Sequence, residues 1–234
     1  MTSRSGNPGK PEIPGGGPIL ALDAGGHACS AAVRLRGGVV AQESLPISHG
    51  QAAALMPMIE RVMRQSGIAY RDLARIAVAV GPGGFTGLRV AIAAARGLGL
   101  AAGVPVIGIS SFQAAASNRA EDSIGRRVFV LIDSRRDEPY LAELGTDLRP
   151  LGAARILSAA EAVALVSAAA PAVVFGDGTG ALAGHLAGDV LIRPTAVDAA
   201  AVAALAAAAD GRFDLPPLPV YLRPPDVSKP KAGG

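Results

Sequence analysis

The same order of apolar runs and turn residues is written twice along this chain, and that repetition restricts the fold more than any other feature. ILALD (19–23) is a short apolar run ending in an acidic residue and Gly25-Gly26, and ACSAAVRLR follows, turned by Gly37-Gly38 into VVAQESL. Strand, turn, strand, turn, strand is an antiparallel meander. Ser48 is placed to cap a helix running to about Ser66, with Leu55, Met56, Ile59, Val62 and Met63 along one stripe. Pro57 lies inside that pattern, so a kink or a displaced start is expected. The strand IAVAV (76–80), a helix from about Thr86 to Ala102, the strand VPVIGIS and the helix SSFQAAASNR complete a β-β-β-α-β-α-β-α half.

RVFVLID (127–133) then opens a second half with another apolar run ending in Asp. DSRRDEP connects it to YLAEL, and ARIL is a weaker extended segment. SAAEAVALVSAAA carries the capping-box pattern Ser158-x-x-Glu161 and predicts a helix. AVVFGDG predicts a strand, GALAGHLA a short helix, VLIR a strand, and 196–209 a final helix. Two mixed sheets flanked by helices predict a duplicated α/β protein with subdomains 19–120 and 121–223. A single doubly wound sheet is the alternative, and it accounts less well for two hairpin openings. The Gly/Pro/Ser-rich stretch 1–18 and the segment 224–234 read as a flexible arm and tail.

Half of the residues are hydrophobic, yet only 3% are aromatic and none is Trp, so the core has to be built from Ala, Leu, Val and Ile. The sequence pI of 9.4 suggests a nucleic-acid binder until the charges are placed. All three lysines, Lys10, Lys229 and Lys231, lie in the arm and tail, which leaves the body without an obvious basic stripe. Arg61, Arg64, Arg71 and Arg75 read equally as a solvated helix face. Cys29 is the single cysteine, which excludes an intramolecular disulfide and a Cys-based zinc cluster. The first residues lack the apolar core of a secretory signal. The Ala-rich stretch 199–209 comes nearest to a membrane span but is too short. A cytoplasmic protein without a membrane partner is expected.

The most distinctive motif is GPGGFTGLR (81–89). Gly81, Gly83, Gly84 and Gly87 permit positive φ, and Pro82 fixes one part of the path. Between a strand and a helix start, such a loop either aims backbone N–H groups at an anion or a partner's acidic side chain, or is a tight turn whose glycines serve close packing. It is not a P-loop, since no Lys-Ser/Thr pair follows. Asp23 with Gly25-Gly26 resembles a metal or phosphate turn, and Asp133 occupies the matching place in the second half. In actin-like ATPases paired acidic turns of this kind grip Mg-bound phosphates. Here the second turn is Asp133-Ser134-Arg135-Arg136, without glycine, so arginine side chains fill the place where a phosphate needs bare backbone. Gly176-Asp177-Gly178 reads as an adenine-flanking turn or, in the plainer reading, a Gly-rich helix entry. His49 lacks a metal-binding partner one turn on, where Ala53 stands, and His27 and His185 are isolated, with capping or surface roles as the default. No catalytic residue and no metal ligand is assigned. The two apolar helices of the first half either pack wholly on their sheet or leave a face for a helical-bundle interface.

From GPGGFTGLR outwards the chain resembles the TsaB/YeaZ family of bacteria. ILALDAGGHACSAAV, SHGQAAALMPMI, VPVIGISSF, DSRRDEPY, FGDG and PVYLR occur in the family's order and spacing, from about Ile19 to Arg223. Ala24-Gly25-Gly26-His27 departs from the family's usual Thr-Ala-Thr-Glu type of first turn, and Pro139 and the N-terminal arm are further departures. The resemblance implies an actin/Hsp70/hexokinase-like fold, that is, a duplicated ribonuclease H-like motif in two subdomains. It implies a subunit without intrinsic activity that pairs with TsaD and with the ATPase TsaE to place threonylcarbamoyl on the adenosine beside the tRNA anticodon, touching tRNA only through the complex. A nucleotide is expected only within that complex, and self-pairing when the chain is alone. The small kinase or ATPase of the same fold is the alternative. The helices 49–66 and 86–102 are the implied TsaD interface, through His49, Leu55, Met56, Ile59, Met63, Arg89, Ile92 and Arg96. On that reading a charge at Ile59 or Ile92 abolishes pairing and leaves the chain folded. The HxxxH metal motif of TsaD is absent at His49…Ala53.

Overall fold

The computed structural model describes residues 17–47, 49–118, 123–208 and 210–223. The expected tail, nearly all of the expected arm and the Ser48 cap lie outside these residues. The described strands form two five-stranded sheets. In the first, β1 (Ile19–Asp23), β2 (Ala28–Leu35) and β3 (Gly38–Pro46) make the expected antiparallel meander, and β4 (Arg75–Gly81) and β5 (Val106–Ser110) add in parallel beside β1. The second repeats this with β6 (Arg127–Ile132), β7 (Tyr140–Leu144), β8 (Arg155–Ile156), β9 (Ala172–Phe175) and β10 (Val190–Arg193). The orders β3-β2-β1-β4-β5 and β8-β7-β6-β9-β10 are the same order, with the same strand directions. The duplication read from the chain is therefore real, and the fold is the two-subdomain actin-like α/β fold.

Strand periodicity sorts the side chains into layers. Leu20 and Leu22 of β1 face an outer cluster with Leu55, Met58, Ile59 and Val62 of α1 (Gln51–Ser66) and with Ala91 and Ile92 of α2 (Phe85–Ala102). Ile19 and Ala21 face the other way, into a central cluster shared with Val128, Val130 and Ile132 of β6. Phe129 and Leu131 alternate outwards to Ala162 and Val166 of α4 (Ala159–Ala168). Two helices complete the central layer: α3 (Ser111–Ala115) and α5 (Ala199–Ala206). Ala21, Ala32, Ala77 and Ala79 line the inner face of the first sheet, and the alanine-rich α5 packs on β1, β2 and β4. Small side chains on both partners let a helix lie close to a sheet, which is why the core does without tryptophan. The division at 120/121 thus separates the sheets but not the packing. A helix and a C-terminal segment from the second half cover the first sheet, with Leu215 exchanging backbone hydrogen bonds with Gly108.

Several local expectations are corrected. The N-cap of α1 is Gly50, in the left-handed region at φ 86°, and Pro57 sits within a helix that begins six residues before it. GALAGHLA does not form a helix over its length; a 3-10 helix spans Asp177–Leu182 instead. The last helix is shorter than 196–209 because Asp198 caps it, accepting a hydrogen bond from Ala201 N at 2.7 Å. The Ser158–Glu161 capping box forms as read. Among the described residues, Phe85–Ala102 is the helix long and apolar enough to cross a bilayer, and the Ala-rich stretch named above is not. It lies against its own sheet through Gly87, Leu88, Ala91, Ile92, Ala95 and Gly99 and is not covered all round, since Leu100 is 87% exposed.

Candidate functional site

The two acidic turns meet. Pairing of β1 with β2 sets Asp23 opposite Ser30, at the end of the first sheet that faces the second. Asp23 is buried, its Oδ1 accepts from Gly25 N at 3.0 Å, and its Oδ2 has no hydrogen-bond partner. Across from it, the Asp133 carboxylate lies 2.8 Å from His27 Nε2 and accepts from Arg135 N at 2.7 Å. Asp133 N in turn donates to Asp177 Oδ1 at 2.8 Å. Arg135, itself left-handed at φ 60°, reaches back and donates from its guanidinium to Gly26 O. Two side-chain bridges therefore join the first-half turn to the second-half turn. His27 is one of the bridging residues, which corrects its reading as an isolated histidine.

Burial, with Asp198 and Asp177 nearby adding to it, pushes the Asp23 carboxyl up from 3.8 to about 7, while the Gly25 N–H opposes the rise. Asp177 is also raised, chiefly by burial. An acid whose folded pKa lies above its unfolded one takes up a proton on folding between the two values. The contribution of Asp23 to stability is then greatest below about pH 4, falls from there to about pH 7, and is level above. The advantage of Asp23→Asn over the wild type should grow by about 3 kcal/mol between pH 5 and pH 8. Urea unfolding of both proteins at the two pH values checks this; parallel profiles would show that Asp23 carries no such strain.

The glycines of the 81–87 loop are explained by close approach. A Cβ on Gly87 would stand 1.7 Å from Ala24 O, and one on Gly83 would stand 2.8 Å from Gly25 O. Gly84 N donates to Gly25 O at 2.7 Å, so this N–H is used within the fold and not held out to a ligand. Gly81 is left-handed at φ 110° and precedes a cis Pro82, both buried, while Thr86 is exposed. The GDG turn follows the same logic, since a Cβ on Gly176 would lie 1.8 Å from Leu131 O. Asp177 of this turn is bonded to the second acidic turn, accepting from Asp133 N.

Among the implied interface residues, Leu55, Ile59, Met63 and Ile92 are at most 4% exposed. They belong to the core beneath the helices and are not surface contacts, which corrects their assignment to a partner and the expectation that a charge at Ile59 or Ile92 leaves the fold intact. His49, Met56, Arg89 and Arg96 are exposed. Arg89 lies over the Phe85 ring at 3.6 Å and its Nε donates to the Tyr221 hydroxyl at 2.8 Å. Arg136, together with Arg135, lines a cavity between the halves. Cys29 is buried and its thiol is pushed up to about 11, by burial first and by Asp23 second, so it is no thiolate at neutral pH. Among the described residues no group of three or more His, Cys, Asp or Glu side chains is arranged to hold a metal ion. Sequence reasoning missed Asp198 and the bridging role of His27, because nothing local in the chain marks partners that only the pairing of the halves brings together.

Fold and site define a class: a duplicated actin-like protein whose paired acidic turns are bridged by side chains. The family profile of TsaD, tRNA N6-adenosine threonylcarbamoyltransferase, matches residues 31–181. The tRNA threonylcarbamoyladenosine biosynthesis protein TsaB of Escherichia coli (strain K12) is 38% identical over 130 residues, 55% of each chain. That match spans about half the length of this curated relative. YeaZ from Pseudomonas aeruginosa superposes with a TM-score of 0.72 at 30% identity, over 88% of this chain and all of that one. A second solved chain, described as an uncharacterized protein with similarity to peptidase YEAZ from Pseudomonas aeruginosa, gives 0.73 at 31% over the same shares. The chain belongs to the TsaB/YeaZ family, within the reach of the TsaD profile.

Proposed function

We propose that this chain is a non-catalytic subunit of the bacterial assembly that forms threonylcarbamoyladenosine on tRNA, holding a TsaD-type transferase and working with a TsaE-type ATPase in the cytoplasm. The observation that carries the reading is the bridging of the two acidic turns by His27–Asp133 and Arg135–Gly26. A Mg-nucleotide gripped between them would have to break both contacts and displace a guanidinium, so the residues present do not fit that group. A nucleotide belongs to the assembled complex, and tRNA is met through the partner. The exposed faces of α1 and α2 are the pairing surface. Met56 projects from the first, and Arg89, Ala93, Arg96 and Leu100 form a stripe of helical spacing along the second.

Mixing the purified chain with the TsaD-type protein of the same organism should shift both into one earlier-eluting peak, and threonylcarbamoylation of tRNA in a reconstituted mixture should require the chain. Separate elution would sink the proposal. Calorimetry of the isolated chain with Mg-ATP should give no micromolar binding; finding it would restore the ATPase alternative.

A further inference from the structure

A cavity of about 390 Å³ opens beside the bridged turns, and neither Asp23, His27, Asp133 nor Asp177 lines it. Its walls differ in chemistry. One is formed by Ser134, Arg135 and Arg136 of the second turn with Arg223. The other is formed by Pro82, Phe85 and the C-terminal residues Val220, Tyr221 and Leu222. Among the described lining residues there are three arginines and no carboxylate. Both walls are held in place. Arg135 donates to Gly26 O, and Arg223 pairs with Glu138, which is outside the lining. A guanidinium carries five N–H donors, so these single contacts anchor the two groups without exhausting them. Opposite, the Phe85 and Tyr221 rings stack at 4.9 Å, Arg89 braces both from outside the cavity, and Val220 N donates to Val80 O at 2.7 Å.

We propose that this cavity is a binding site for a small organic phosphate, its phosphate against Arg135, Arg136 and Arg223 and its apolar or aromatic body against the Phe85–Tyr221 wall. Planar guanidinium forks match phosphate oxygens, and several converging on one volume favour an anion of more than one charge. The volume is that of a site for a small molecule and the two-sided lining is the usual way such a site fixes orientation. The site depends on neither magnesium nor the acidic turns, and is separate from the nucleotide grip that the bridged turns exclude.

Phenyl phosphate, inorganic phosphate and phenol, titrated without magnesium into the isotope-labelled full chain and followed by NMR, test this. Phenyl phosphate should bind with a dissociation constant below about 1 mM and at least about tenfold more tightly than inorganic phosphate, with shifts at Ser134, Arg136 and Tyr221, while phenol should not bind. Arg136→Ala and Arg223→Ala should each weaken binding by about tenfold or more, and Tyr221→Leu should weaken phenyl phosphate but not inorganic phosphate. Arg64→Ala, on the exposed side of α1, should change nothing. Absence of binding at several millimolar, equal binding of the two phosphates, or unchanged binding in the folded Arg136→Ala and Arg223→Ala variants would overturn the proposal.

Discussion

Replacing Met56 by aspartate should leave the chain folded and weaken its pairing with a TsaD-type partner by at least about 30-fold, whereas replacing Ile59, three residues on in the same helix, should unfold it. Met56 is 39% exposed and Ile59 fully buried against the first sheet. Both changes put the same charge into the same helix, so propensity cancels and only the environment differs. At Ile59 an unpaired carboxylate enters an apolar layer, at a cost of several kcal/mol that exceeds what a domain of marginal stability tolerates. At Met56 the charge is solvated in the free chain and is desolvated only on association, where losing a central apolar anchor costs about 2 kcal/mol or more. Circular dichroism separates the two variants, and calorimetry against the partner measures the second effect. A folded Met56→Asp that still pairs with unchanged affinity would remove this face from the proposed surface.

Gly87→Ala should destabilise the isolated chain by about 3 kcal/mol or more, one of the largest effects a single methyl group can have here. The added carbon would fall 1.7 Å from a backbone oxygen, Ala24 O, which cannot swing aside as a side chain can. Relief requires prising α2 from the first acidic turn, and the Gly84 N–Gly25 O hydrogen bond would be strained with it. Gly97, ten residues along the same helix, meets nothing within 4 Å of an added Cβ. Gly97→Ala should therefore stabilise by about 0.5–1 kcal/mol through lower backbone entropy in the unfolded chain. Urea denaturation of the pair tests both signs; a mild loss at Gly87 would mean that α2 shifts easily on its sheet.

The succession of strands along the chain was legible because strands declare themselves locally: the runs ending at Asp23 and Asp133 and the glycine turns carry their own signals. What the chain did not disclose was partnership. Met56 and Ile59 look alike in an apolar stripe, and only the packing of α1 on β2 and α2 decides which of them meets water. His27 and Asp133 stand 106 residues apart, so no spacing rule could join them. The start of α1 was misjudged because a glycine at its N-cap, without a side-chain hydrogen bond, gives no signal comparable to Ser158 and Glu161 at α4. The arginines of the second turn were read as space-filling, and Arg135 does bridge the turns, yet with Arg136 it also lines the cavity that only the C-terminal segment closes.

The packing of α5 on β1, β2 and β4 sets an order of events during synthesis. The five strands of the first sheet are complete at Ser110, but the alanine face they present inward has no lid until Ala199–Ala206 has left the ribosome. The nascent amino-terminal portion must wait with that surface bare while the whole second sheet is translated. A chain that stops before Ala199 leaves that alanine face bare and is a sticky intermediate, not a smaller working protein.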